Sequence, residues 1–200
     1  GTIEPSALAR TSSGIGIARR ASRSYGGGMR IYNVHERLIP GSMATAMALL
    51  DGLSSEDDRL WPKENWMTQR FDKPLQVGAK GGHGPIRYSV DAYDPGLLVH
   101  YKFDAGNVIT GSHWFAITET EAGILFRHVI NARANIGSRI QWVFMIRWLH
   151  DALLEDAFDK AEIALTGEVR NPSEWSLPVR LLRRWRSLPS RKKAYPTPST

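Results

Sequence analysis

Ile86-Arg87-Tyr88-Ser89-Val90-Asp91-Ala92, then Asp94-Pro95-Gly96, then Leu97-Leu98-Val99-His100-Tyr101-Lys102-Phe103: apolar and polar residues alternate, a turn interrupts them, and the alternation resumes. A period of two bounded by a turn signal is the pattern of half-buried antiparallel strands. Two further runs follow. Gly111, His113, Phe115 and Ile117 share one side against Ser112, Trp114, Ala116 and Thr118. After the turn Glu121-Ala122-Gly123, the residues Ile124, Phe126, His128, Ile130 and Ala132 share it against Arg127, Asn131 and Arg133. With a short lead-in over 75–80, these runs form a five-run meander. Its inner face carries Ile86, Tyr88, Val90, Ala92, Val99, Tyr101 and Phe103 as well.

Before the meander, 29–39 reads as a first strand with Ile31, Val34, Leu38 and Ile39 as its apolar members, ended by Pro40-Gly41. Ser42 is placed to cap a short helix over 43–53, where Met43, Ala46, Met47, Leu49 and Leu50 recur at helical spacing. Ser54 or Ser55 then caps a second short helix running to Leu60. The segment 61–73 sets Trp61-Pro62, Trp66 and Phe71 among charges and reads as a loop pinned by aromatic rings. After the meander, Gly137-Ser138 opens a helix over 139–165, roughly 40 Å long at 1.5 Å per residue. Val143, Ile146, His150, Leu153, Leu154, Ala157, Ala161 and Ala164 form its stripe, and Asp151, Glu155, Asp159 and Glu162 a charged counter-face. Only that long helix can cover the concave face of the sheet. The expectation is an α+β fold with about six antiparallel strands curved around one C-terminal helix, and two short helices after the first strand.

Charge and composition narrow the function. The net charge is +6, yet residues 1–28 hold four Arg against one Glu and residues 166–200 hold eight bases against two acids. The remainder therefore carries 14 bases and 17 acids, so the folded body lacks the basic surface that drives nucleic-acid affinity. Residues 1–28 read as a disordered leader, 29–165 as the domain and 166–200 as a basic tail. Within the tail, Leu181, Leu182, Trp185 and Leu188 fall at helical spacing among arginines, a pattern suited to weak contact with anionic membrane or to docking on the domain. The absence of cysteine excludes disulfides, thiolate metal sites and cysteine nucleophiles, and fits a cytoplasmic protein. No apolar run has the length of a spanning helix.

Two glycine-rich stretches carry no nucleotide chemistry. Thr11-Ser12-Ser13-Gly14-Ile15-Gly16 lacks a preceding buried strand, and Gly78-Ala79-Lys80-Gly81-Gly82-His83-Gly84-Pro85 joins two strands rather than opening a helix.

The order of elements over about 29–165 resembles the START-like (SRPBCC, polyketide cyclase-like) superfamily. Asp58-Arg59-Leu60-Trp61-Pro62, Arg70-Phe71-Asp72-Lys73-Pro74-Leu75, Gly81-Gly82-His83-Gly84-Pro85-Ile86-Arg87-Tyr88 and Leu149-His150-Asp151-Ala152-Leu153-Leu154-Glu155-Asp156 are similar to stretches of its bacterial members. Such relatives tend to have Trp-Pro-Pro-Met where this chain has Trp66-Met67-Thr68-Gln69. The resemblance implies a helix-grip (START/Bet v 1-like) fold with a ligand cavity between sheet and helix. It says little about activity, because the superfamily spans carriers, receptors and cyclases.

Alternation and the helix stripe set the expected cavity lining as Trp61, His83, Tyr88, Val90, Tyr101, His113, Phe115, Phe126, His128, Ile146, His150 and Leu153. The expected ligand is an apolar or aromatic small molecule, a lipid or polyketide-like compound, oriented by a few polar tips. The alternatives are a cyclase, dehydratase or hydrolase using His113, His128 or His150 as general acid or base, and a peripheral lipid-transfer protein. No His-x-x-x-His pair or linked carboxylate joins the histidines, so neither metal nor cofactor is expected.

Overall fold

The structure is a computed structural model that describes residues 28–107 and 109–185. The expected leader, apart from Gly28, and the tail beyond residue 185, Leu188 included, lie outside the described residues. Seven strands form one antiparallel sheet: β1 (Met29–Ile39), β2 (Gln69–Phe71), β3 (Lys80–His83), β4 (Ile86–Asp94), β5 (Leu98–Phe103), β6 (Ile109–Thr120) and β7 (Gly123–Ala134). Their order is β1-β7-β6-β5-β4-β3-β2, so the meander runs to one edge and the first strand closes the other beside β7. The sheet has one strand more than the expected six. β2 arises inside the aromatic loop, where Arg70 lies opposite Gly82 and Phe71 opposite Gly81 on β3. Gly81 permits that approach, since a Cβ there would strike the Arg70 carbonyl oxygen.

Helix α1 (Met43–Asp51) follows β1 and buries Ala46, Leu49 and Leu50. Ser42 is extended ahead of it but gives no side-chain cap. The expected second short helix is a turn instead. Asp58 gathers the backbone N–H groups of Ser54 (2.8 Å), Leu60 (3.0 Å) and Trp61 (2.8 Å) on its carboxylate, and Ser54 takes φ 65°. These bonds compete with the helical ladder. In β4 a bulge between Val90 and Ala92 shifts the register, which exposes Ala92, expected inward, and half-buries Tyr93. The Tyr93 hydroxyl and the Gly96 N–H both donate to Asp51 Oδ1, each at 2.6 Å, tying the β4–β5 turn to α1.

The long helix is three pieces: α2 (Ile136–Gln141), a π-helical turn (Trp142–Ile146) and α3 (Arg147–Thr166). Its cap is Asn135, whose side chain accepts from Ser138 N–H at 2.8 Å, rather than Ser138 itself. The π turn inserts an extra residue and changes the phase of the stripe. Val143, expected inward, is thereby exposed, whereas Trp142 is buried. Beyond it, Leu153, Leu154, Ala157, Phe158 and Ala161 are buried.

The first strand departs most from expectation. Val34 and Leu38 are exposed, and between Ile31 and Ile39 the inward positions hold Asn33, His35 and Arg37. They meet the charged counter-face of α3. Arg37 donates to Asp159 (2.7 Å), Glu155 (2.8 Å) and Glu162 (3.3 Å), and Asn33 donates to Asp151 (3.1 Å). Finally α4 (Leu177–Trp185) docks by Val179 and Arg183, while Leu181, expected on the packing stripe, is exposed. The Arg183 guanidinium lies over the rings of Trp175 (4.1 Å) and Trp66 (4.6 Å), whose indole N–H groups both donate to Asp156. Among the described residues no helix is long and apolar enough to cross a membrane.

Candidate ligand cavity and its histidines

Sheet and helix enclose a cavity of about 410 Å³. Of the residues expected to line it, Trp61, His83, His113, Phe115, His128, Ile146, His150 and Leu153 do so. Tyr88, Val90, Tyr101 and Phe126 do not. They point inward but lie deeper, fully buried or nearly so beneath the wall. Alternation reports the side of a sheet and not the depth beneath it. The wall also includes Phe103, Ile109 and Ile130 from the inner face, Trp66 and Met67 from the aromatic loop, and Trp142 and Leu149 from the helix. Phe103 and Ile130 were accessible to the same alternation. Trp142, four residues before Ile146, was likewise accessible to the helical spacing.

His83 is set by a directed hydrogen-bond chain. The Ser54 hydroxyl donates to Gln69 Oε1 (3.0 Å), and Gln69 Nε2 donates to the Tyr88 hydroxyl (2.8 Å). The Tyr88 O–H then donates to His83 Nδ1 (2.9 Å), which fixes the neutral tautomer with its proton on Nε2. Burial, with His150 and Arg87 nearby, lowers the His83 pKa to about 4. Its ring packs on Trp61 at 5.0 Å.

His113 and His128 form a second unit. His113 Nδ1 and His128 Nε2 are 3.3 Å apart, so whichever nitrogen carries a proton donates to the other and the two tautomers are coupled. His113 is stacked between Tyr101 and Phe103, each at 4.8 Å, with Tyr88 edge-on at 4.6 Å. Burial first, then the neighbouring imidazoles, holds both pKa values well below the ordinary histidine range. A proton shuttle works best near the operating pH, so this environment disfavours an acid–base role for the pair. His150, the third catalytic candidate, is lowered in the same direction by burial.

Sequence reasoning left out His35. It lies opposite His128 in the β1–β7 register, on the inner face. Its ring bridges two carboxylates, Nε2 to Asp151 Oδ1 and Nδ1 to Glu155 Oε1, both at 3.0 Å. Burial opposes its charge, but these two bonds outweigh it and push the pKa up to about 9. Complementarity between Asn33, His35 and Arg37 at spacing two and Asp151, Glu155 and Asp159 at spacing four was the available signal.

A curved sheet gripping a C-terminal helix over a cavity defines a helix-grip protein. No family model matches the chain, and no curated protein matches it. Solved structures do. Norcoclaurine synthase from Thalictrum flavum, a point mutant in complex with a transition-state analogue, is 12% identical over 70% of this chain and 98% of that chain, with a TM-score of 0.53. The same enzyme in complex with dopamine and hydroxybenzaldehyde is 12% identical over 72% of this chain and 96% of that one, with a TM-score of 0.51. At such identity the likeness is one of fold. The fold is the helix grip expected from the order of elements in the sequence.

Proposed function

We propose that the chain binds a small aromatic or polyketide-like molecule between sheet and helix, with a hydrogen-bond acceptor of that molecule meeting the Nε2–H of His83. The observation that carries this reading is the chamber of about 410 Å³. Its size is that of small-molecule sites, which span about 300–1,000 Å³ and combine an apolar wall with few polar groups. Trp61, Trp66, Trp142, Phe103 and Phe115 make the wall aromatic, which favours a ring system over an extended acyl chain. Because Tyr88 occupies Nδ1, the donor that His83 can offer a ligand is Nε2–H. The complex of the Thalictrum flavum enzyme with dopamine and hydroxybenzaldehyde supports a ring-binding use of this fold.

Tryptophan-fluorescence titration with 2-acetonaphthone and 2-ethylnaphthalene tests the proposal. The ketone is expected to bind roughly 2- to 10-fold tighter, the worth of one net hydrogen bond of about 0.5–1.5 kcal/mol, and His83→Phe to erase the difference. Failure of both probes to bind overturns the chamber reading. Equal binding of the two overturns the role of His83 alone.

A further inference from the structure

We propose that His35, His150 and Asp151 form a binding site for a divalent transition-metal ion, with Zn²⁺ the ion best suited to the ligand set. The three side chains come from β1 and α3, and each offers one ligand atom, all within 4.8 Å of one another. His35 Nε2 lies 3.0 Å and His150 Nδ1 3.7 Å from Asp151 Oδ1. Those separations straddle the edge of a tetrahedron with metal bonds of about 2.0–2.1 Å, which is about 3.3 Å.

Three further observations converge on the same place. The Nδ1 atom of His150 is buried without a hydrogen-bond partner, since 3.7 Å to Asp151 is too long for one. A buried imidazole nitrogen left without a hydrogen bond, beside a carboxylate and a second imidazole, is available to ligate a metal ion. Next, the supporting bonds that metal ligands require are already made. His35 Nδ1 bonds Glu155 at 3.0 Å, the carboxylate–histidine arrangement that orients a ligating ring through its other nitrogen, and Asn33 Nδ2 donates to Asp151 at 3.1 Å. Charge points the same way. The ion pairs along this seam join four carboxylates, Asp151, Glu155, Asp159 and Glu162, to two guanidiniums, Arg37 and Arg147. Where His35 bridges Asp151 and Glu155 as an imidazolium, one negative charge remains; a divalent ion that displaces its Nε2 proton meets two, and balances them.

Two imidazoles and a carboxylate leave a fourth position for water or another ligand. His150 also lines the cavity, so the ion stands at the chamber wall. The proposal is independent of which molecule the chamber holds.

The test is titration of the chelator-treated full chain with Co²⁺, read by its visible d–d absorption, followed by displacement with Zn²⁺. Wild-type protein is expected to take up one equivalent and give the intense bands of a four- or five-coordinate ion, which Zn²⁺ removes. His150→Ala is expected to weaken binding at least tenfold or so, the loss already expected on removing a supporting residue, and His35→Gln likewise. Circular dichroism checks that each variant is folded. Should His35→Gln unfold because it breaks the seam, His150→Ala decides the matter. Uptake below a tenth of an equivalent, or unchanged affinity in folded His150→Ala, overturns the proposal.

Discussion

Tyr88 shows how much one hydroxyl can govern at the scale of a residue. Its ring is fully buried and makes edge contacts with Phe71, Tyr101 and His113, so Tyr88→Phe preserves the packing and deletes only the oxygen. That deletion strips the donor from His83 Nδ1 and the acceptor from Gln69 Nε2 at once. Leaving buried polar groups unpartnered costs about 1–3 kcal/mol each, so Tyr88→Phe is expected to lower stability by that order in urea denaturation. The same change frees the imidazole to hold its proton on either nitrogen, and ¹⁵N spectra of the His83 ring are expected to show the Nδ1–H form appearing. An unchanged denaturation midpoint together with an unchanged tautomer would refute the directed chain. The sequence placed Tyr88 inward correctly and misread its task, because period-two alternation cannot separate a residue that touches a ligand from one that holds such a residue still.

At the scale of elements, the meander was legible because each strand repeats one binary choice several times and a turn marks its end. The seam between β1 and α3 was not, although both halves were in view. Val34 and Leu38 drew the eye by hydrophobicity, yet they are exposed, and the strand turns Asn33, His35 and Arg37 inward. The acidic stripe of α3 read as a charged counter-face, and only the packing of the two elements shows each as the other's complement. The π turn was invisible for another reason. One added residue has no compositional mark, yet it leaves Val143, expected inward, exposed. The seam makes a definite demand of Arg37, whose guanidinium faces Asp159, Glu155 and Glu162 while Asp159 is fully buried. Arg37→Met keeps the stem and deletes the charge, and removing one partner of a buried ionic network costs about 3–5 kcal/mol. A loss of that size in urea denaturation is expected; a loss under about 1 kcal/mol would mean that water screens the seam.

For the whole molecule, the placement of neutral histidines in the core sets the pH range of stability. His83 has a folded pKa of about 4, and His113 and His128 lie well below the ordinary value of 6.5 in the same direction, because burial disfavours the imidazolium in each. Between pH 6.5 and 4 the unfolded chain therefore binds protons that the native chain refuses. With more protons on the unfolded state, stability rises with pH through this window and falls on acidification, by up to about 1.4 kcal/mol per pH unit for each such histidine. The carboxylates of the seam contribute in the same sense at lower pH, since Glu155 is held below its ordinary range chiefly by its hydrogen bond to His35. In the interval from pH 6.5 to 5 the histidines dominate: His35, protonated in the native chain throughout, opposes the decline, but it is one ring against His83, His113 and His128. Urea midpoints measured in chelator are expected to drop steadily from pH 6.5 to 5 while the slope with denaturant stays constant. His128→Phe, which removes one buried titrating ring, is expected to flatten that decline relative to wild type. If the midpoint holds level to pH 5, or if His128→Phe leaves the decline unaltered, these rings are reached by water and the chamber wall is more open than its packing implies.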